Sequence, residues 1–316
     1  MRFVTIDAPL GGRAGMLLGG DVLDFAGVAD IAPLAAYVPA TVAGILGGGA
    51  DGLEIVSRVA GRIEGASQGE TDALRERRAL CPVSETPMLA PLPHPGIVLS
   101  HGRAYRTHLQ EMKKTDNPEV PEDPSAFIKN NNSIIGSGAA IVLPPQCPDM
   151  VDFEGEFSLV FGKHCHNVAI EDAMESIAGY TIINDVSARD WVHIYRETND
   201  PEINRMGKQL PTFCPMGPAV VTCDEVGDPH DLDIQTTLNG EVFQSSNTSD
   251  LIWMIPQLIS YFSRWYPFAP GDVLTTGSPA GVGFGRDPKI FMKPGDIVSI
   301  TVEGVGTLTN PVVASG

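Results

Sequence analysis

Residues 151–162 read VDFEGEFSLVFG, and no other stretch constrains this chain's folding so tightly. Val151, Phe153, Phe157, Leu159 and Phe161 alternate with Asp152, Glu154, Glu156 and Ser158. That is the period-two signature of a β-strand with one face in a core and the other polar. Glu154 and Glu156 then point the same way, with Cα atoms ~6.5–7 Å apart. Two carboxylates that close repel each other unless something positive stands between them. A solvated acidic edge has the same pattern, so the strand alone leaves both readings open.

The following residues favour a cation. VAIEDAMESIA (168–178) carries helical spacing, with Glu171 and Asp172 in a first turn and Gly179 at the end. YTIINDVSARD (180–190) then reads as an apolar strand ending at Asn184-Asp185. A strand–helix–strand unit brings Asp185 level with the Glu pair. Three carboxylates with water completing the shell suit a hard divalent cation, Mg2+, Mn2+ or Ca2+; zinc would recruit His or Cys. The competing cluster Lys163-His164-Cys165-His166 has no further ligand at metal spacing and is expected to be a surface turn.

Short strands separated by turns run from Ile97 onward, in a chain with 34 glycines and 26 prolines among 316 residues. Before it, residues 1–90 read as a small αβ domain. Met1–Ile6 and Ala14–Leu18 are expected strands around Leu10-Gly11-Gly12, and 31–47 and 52–64 expected helices broken by the GGGADG turn at 47–52. The proline-rich PMLAPLPHPG (87–96) is the expected boundary, giving a second domain over 97–316. KKTDNPEVPEDPSAF (113–127), charged and irregular, is either a surface loop or a lid over a substrate.

The formal net charge is -18, nearly all of it beyond residue 110, which argues against nucleic-acid or anionic-membrane partners. No run approaches the ~20 apolar residues of a membrane-spanning helix. MRFVTIDAPLGGRAG lacks the apolar core of a secretory signal. Five cysteines (Cys81, Cys147, Cys165, Cys214, Cys223) without a C-x-x-C pair suggest free thiols in a reducing compartment, and the cytoplasm is the expected location.

In SHGRAYRTHLQEMKK (100–114), His108 and Glu111 share a face if the segment is helical, and a carboxylate beside an imidazole makes a base able to activate water. Lys208, in GKQLPTFCPMGP (207–218), could neutralise an oxyanion near a metal. GDVLTTGSPAGVGFG (271–285) has neither the P-loop Lys-Ser/Thr nor the G-x-G-x-x-G order, so a tight turn near a small ligand is expected rather than a nucleotide site.

Read in order, GRAYRTHLQE, SAFIKNNNSIIGSG, VDFEGEFSLVFGK, GYTIINDVSARDW, GKQLPTFCPMGP, NTSDLIWMIPQLISYFS, PGDVLTTGSPAGVG and KPGDIVSITVEGVGTLTN resemble the fumarylacetoacetate hydrolase family. The resemblance implies an α+β fold, a mixed β-roll (sandwich or barrel) catalytic domain behind a small αβ domain, usually a homodimer. It implies metal ligands at Glu154, Glu156 and Asp185, a water-activating dyad at His108 and Glu111, and a catalytic lysine at Lys208. Arg189, Ser278, Lys129 and Tyr105 fall where the family lines its substrate site. The sequence departs from the family pattern at Arg103-Ala104, at Val192, at Pro211 and in the extra stretch 193–206.

The expected activity is metal-dependent hydrolysis of a C–C bond in a 1,3-dicarbonyl acid such as an acylpyruvate, with a small-molecule keto acid as partner and Mg2+ or Mn2+ as cofactor. Decarboxylation, dehydration or isomerisation of a related keto acid is the alternative, and a non-catalytic metal-binding protein the third.

Overall fold

Arg2 and Phe3 lie opposite Val221 and Val220, so the first strand of the chain is stitched into a sheet built mostly from its second half. The structure is a computed structural model; it describes residues 1–316, except for the side chains of Val192, His193, Tyr195, Arg196, Pro201 and Asn204. The architecture is α+β, with several sheets and few, short helices.

The opening segment contains β1 (Arg2–Ile6), β2 (Arg13–Leu18), β3 (Asp21–Asp24), helices α1 (Val42–Gly47), α2 (Gly49–Glu64) and α3 (Gln68–Glu76), then β4 (Leu80–Pro82) and β5 (Met88–Leu89). β1 and β2 form the expected hairpin, Phe3 facing Met16. The expected break at 47–52 is narrower than the glycines suggest, because α2 starts at Gly49. Val56, Val59, Ala60 and Ile63 give α2 one buried face, and a capping box between Ser67 and Glu70 starts α3.

The rest comprises β6 (Val98–Gly102), α4 (Arg106–Lys113), β7 (Ser125–Ile128), β8 (Ile134–Ile135), β9 (Ile141–Leu143), β10 (Val151–Asp152), β11 (Gly155–Phe161) and β12 (Ile177–Asn184). After these come β13 (Ser187–Ala188), α5 (Asp190–Thr198), α6 (Pro201–Met206), β14 (Cys214–Thr222), β15 (Asp233–Leu238) and β16 (Glu241–Asn247). Last are α7 (Ile255–Ser263), β17 (Val273–Thr275), β18 (Ile297–Val302) and β19 (Gly306–Ala314). A twelve-stranded mixed sheet runs β4-β3-β2-β1-β14-β12-β11-β17-β6-β7, with β5 on β1 and β8 on β14; β16-β15-β18-β19-β9 form a second sheet. The second sheet packs on the first where β19 meets β14 and β15 meets β11. Phe157, Phe161, Tyr180, Leu258 and Phe268 fill the space beneath α7, while Phe3, Ile45, Val160 and Met216 share a core that includes the opening segment. All five cysteines are free thiols, four of them buried, and among the described residues no helix is long and apolar enough to cross a membrane.

Two local expectations are corrected. Residues 168–178 form turns and a short 3-10 segment, Ala173–Ser176, not an α-helix. Tertiary bonds hold Val168 there: its N–H donates to Ser263 Oγ and its carbonyl accepts from Ser260 Oγ, both on α7. Nor does 151–161 have a solvated face, since every residue in it is buried. The second sheet packs on the face of Gly155 and Phe157, against Thr236 and Ile300, Glu154 and Glu156 line an internal cavity, and the strand is interrupted at Phe153-Glu154 between β10 and β11.

Candidate metal centre

β11 and β12 run antiparallel with Gly155 opposite Asn184 and Glu156 opposite Ile183, which sets the start of one strand beside the end of the other. Glu154 sits just before β11, Glu156 is its second residue, and Asp185 follows the last residue of β12. The interruption is pinned on both sides: Glu154 N–H donates to Asn184 Oδ1 at 2.9 Å, and the Asp185 N–H donates to the Glu154 carbonyl at 2.9 Å. As a result one oxygen from each of Glu154, Glu156 and Asp185 lies within 4.8 Å of the others, the one such group found among the described residues.

All three carboxylates are buried, at 6%, 1% and 1% exposure, where an unpaired charge is costly. Lys208 Nζ donates to Glu154 Oε2 at 2.7 Å and to Asp185 Oδ2 at 2.5 Å. Lys129 Nζ donates to Asp185 Oδ1 at 2.7 Å. Arg189 bridges Glu154 and the buried Asp152, reaching Asp152 Oδ2 from Nε at 2.9 Å. Burial opposes ionisation of Glu154, but Lys208 and Arg189 outweigh it and hold its carboxyl well below the usual carboxylate range.

Glu156 differs. Its Oε2 is buried with no hydrogen-bond partner among the described residues. Burial first, and then the charges of Asp185 and Glu154, push its carboxyl well above the usual range. An orphaned oxygen facing two other carboxylates fits a divalent cation, and an all-oxygen donor set fits a hard one. The residues present therefore suit Mg2+ or Mn2+ and offer a thiophilic metal nothing.

The same cavity, about 440 Å³, holds the base. α4 places His108 and Glu111 one turn apart, with Nδ1 3.2 Å from Oε2. Glu111 Oε1 in turn accepts from the Gly281 N–H at 3.0 Å, so the glycine-rich loop steadies the carboxylate. A Cβ on Gly285 would fall 2.4 Å from Glu111 Cδ, and one on Gly281, whose φ is +105°, 2.0 Å from the Phe243 carbonyl oxygen. Those glycines are the expected tight turn. Asp152 fastens the loop from the other side, accepting from the Gly283 N–H at 2.8 Å and the Phe284 N–H at 3.0 Å. Ser278 lies on the cavity wall and its Oγ accepts from Gln244 Nε2 at 2.7 Å.

The structure thus gathers Glu154, Glu156, Asp185, His108, Lys208, Arg189 and Ser278 round one cavity, with Glu111 directly behind His108. Two expected substrate contacts lie elsewhere. Tyr105 is fully buried in the core with Leu99 and Phe157, because its backbone bridges to Leu251 and turns the ring inward. Lys129 is 1% exposed and its ammonium is consumed by Asp185, the Lys208 carbonyl at 2.6 Å and the Phe213 carbonyl at 2.8 Å. Its ammonium orients the Asp185 carboxylate. The departure at Val192 lies outside the described side chains. Lys163, His164 and His166 are exposed and only Cys165 is buried, as a surface turn requires.

Sequence reasoning missed three contributors. Asp152 was visible, since it continues the Asp152–Glu154–Glu156 alternation to the same face. Phe127 and Gln244 carried no signal; they reach the site only through the β6–β7 and β15–β16 pairings.

The family model for the C-terminal part of fumarylacetoacetate (FAA) hydrolase matches residues 98–313. The mitochondrial oxaloacetate tautomerase FAHD2B of Homo sapiens is 42% identical over 252 residues, 78% of this chain and 77% of that protein. The crystal structure of a 5-carboxymethyl-2-hydroxymuconate delta-isomerase from Mycobacterium smegmatis is 42% identical with a TM-score of 0.63, covering 75% of this chain and 86% of that one. A maleylpyruvate hydrolase from Sphingobium sp. SYK-6, solved with manganese(II) and pyruvate, covers both chains completely at 25% identity and a TM-score of 0.70.

Proposed function

The chain belongs to the fumarylacetoacetate hydrolase family, and from that premise we propose that it is a divalent-metal-dependent enzyme interconverting the keto and enol forms of an oxaloacetate-type 2-oxo acid. The observation that carries this reading is the orphaned Glu156 Oε2, converging with Glu154 and Asp185 on the cavity that also holds His108. The relative of Homo sapiens named an oxaloacetate tautomerase supports the choice of substrate.

Glu154, Glu156 and Asp185 would hold the cation, which when bound supplies a Lewis acid for the carboxylate and 2-oxo oxygens and so acidifies the neighbouring C–H. His108 is the group that moves the proton. Its Nδ1–H donates to Glu111, which leaves Nε2 as an acceptor and stabilises the imidazolium that forms. The proton goes from carbon to Nε2 and returns to oxygen, or the reverse. Lys208 holds Glu154 and Asp185 in place with its ammonium and adds positive potential beside the developing oxyanion.

Hydrolytic cleavage of an acylpyruvate is the second reading. The His108–Glu111 hydrogen bond favours it, because the same oriented base can deprotonate water, and the structurally similar maleylpyruvate hydrolase is consistent with it. The two are separated by one panel with Mg2+ or Mn2+: enol-absorbance decay of oxaloacetate, and product analysis with oxaloacetate and several acylpyruvates. Accelerated enol decay without pyruvate or cleaved acid supports tautomerisation; cleavage that collapses in His108→Ala supports hydrolysis; pyruvate from oxaloacetate would make it a decarboxylase. The homodimer expected from the resemblance is likewise proposed, and light scattering checks it.

A further inference from the structure

Four cationic side chains line the metal cavity: Arg103, Arg189, Arg205 and Lys208. Three are already neutralised. Lys208 is held by Glu154 and Asp185, Arg189 by Asp152 and Glu154, and Arg205 by Glu202. Arg103 has no carboxylate partner among the described residues; its polar contact is the neutral Ser125 Oγ, 3.3 Å from Nη2. In a chain of 39 acidic and 21 basic residues, a cavity-lining guanidinium without a carboxylate is conspicuous.

Its backbone is unusual as well. Arg103 has φ +57°, a left-handed conformation that is strained for a non-glycine residue. Neighbours on both sides enforce it. Gly102 pairs with Ser125 across β6 and β7, and the Ala104 carbonyl accepts from the Ile252 N–H at 2.8 Å. Glycine would relieve the strain but would leave the wall without a cation. Arg103 also lines an adjoining cavity of about 410 Å³ under residues 115–122, so it stands between that space and the carboxylate triad.

We infer that Arg103 recognises a second carboxylate, at the end of the substrate away from the metal site, and so selects 2-oxo dicarboxylic acids over monocarboxylic ones. The inference rests on the enolisation reading above. Lys208 and Arg189 are spent on protein carboxylates, and a cation held by the triad would engage one end of a dianionic substrate without reaching the carboxylate at the other. The other end needs a free cation, and a guanidinium fork suits a carboxylate in two-point contact.

The test uses the Mn2+-loaded protein and the variants Arg103→Ala and Arg103→Lys. Calorimetry compares 2-oxoglutarate, which carries a distal carboxylate, with 2-oxobutanoate, which does not. Loss of a charge-assisted pair should weaken 2-oxoglutarate about tenfold or more in Arg103→Ala, with 2-oxobutanoate unchanged and partial recovery in Arg103→Lys. With oxaloacetate, KM should rise while kcat holds. Equal weakening of both ligands, or no preference for the dicarboxylate in the unmodified protein, overturns the assignment. If the binding contrast holds but enol exchange is not accelerated, the assignment stands and the tautomerase reading falls. Arg103 is exposed, so both variants are expected to fold, and matching unfolding midpoints verify it.

Discussion

Lys129 Nζ stands 2.7 Å from Asp185 Oδ1, on the side of that carboxylate away from the cavity. All three ammonium hydrogens are used, one on Asp185 and two on the carbonyls of Lys208 and Phe213. Asp185 is thereby aimed with one oxygen at a fixed cation behind it and the other toward Lys208 and the triad. Lys129→Met breaks a buried pair and should lower stability by about 3–5 kcal/mol. Urea unfolding with chelator present measures this, and an unchanged midpoint would show that the pair does not hold the site together.

Glu156 predicts an opposite response. Its carboxyl is buried, has an oxygen without a partner and is crowded by two like charges. Glu156→Gln should leave the metal-free protein as stable as the parent or more so. It should also remove the stabilisation by Mn2+, which for the parent is about 2.7 kcal/mol at a hundredfold excess over the dissociation constant. Thermal unfolding with and without Mn2+ reads both effects. A Gln variant that still gains stability from the metal would place the cation elsewhere.

The contrast between Lys129 and Glu156 marks what the sequence could reveal. Glu154 and Glu156 announced themselves by spacing two apart in a strand, and Asp185 by ending the next strand; both signals are local. His108 and Glu111 were legible for the same reason on a helix. Lys129 needed tertiary knowledge, because only the pairing of β6 with β7 and the path of the Lys208–Phe213 segment decide that its ammonium turns away from the cavity. Tyr105, placed by the resemblance alone, likewise needed tertiary knowledge: the bridge to Leu251 sets its backbone and its side chain is fully buried. The 168–178 segment had helical spacing but lost to two hydroxyls on α7.

Acid sensitivity should come partly from a residue outside the chemistry. His101 alternates with Ser100, which reaches Asp185 at 3.5 Å, so its ring turns to the other side of β6, between Trp253 and Phe262. Burial pushes the imidazole down to about 4, against ~6.5 in an unfolded chain. Between those values the unfolded state binds the proton and the folded state does not, so stability falls as pH drops from ~6.5 toward 4. The loss is about 3 kcal/mol for this residue. His101→Phe should flatten that part of the stability–pH curve, and a variant curve parallel to the parent's would remove His101 as the cause.

The glycine-rich loop permits a test of the dyad that spares the metal. Gly285 is not in a left-handed conformation, so alanine adds only a methyl group, and the nearest atoms it meets are Glu111 Cδ at 2.4 Å and Cγ at 2.7 Å. A flexible side chain can yield where backbone could not, so Gly285→Ala should fold and displace the Glu111 carboxylate. That costs the Gly281 N–H contact, the His108 contact or both. A shift of ~1 Å in a catalytic group can reduce turnover about a hundredfold. We expect kcat to fall by that order, with the Mn2+-induced rise in unfolding midpoint unchanged, since no triad oxygen moves. Loss of both together would mean that the loop supports the metal ligands as well, through Asp152, whose bonds to Gly283 and Phe284 link it to the same turn.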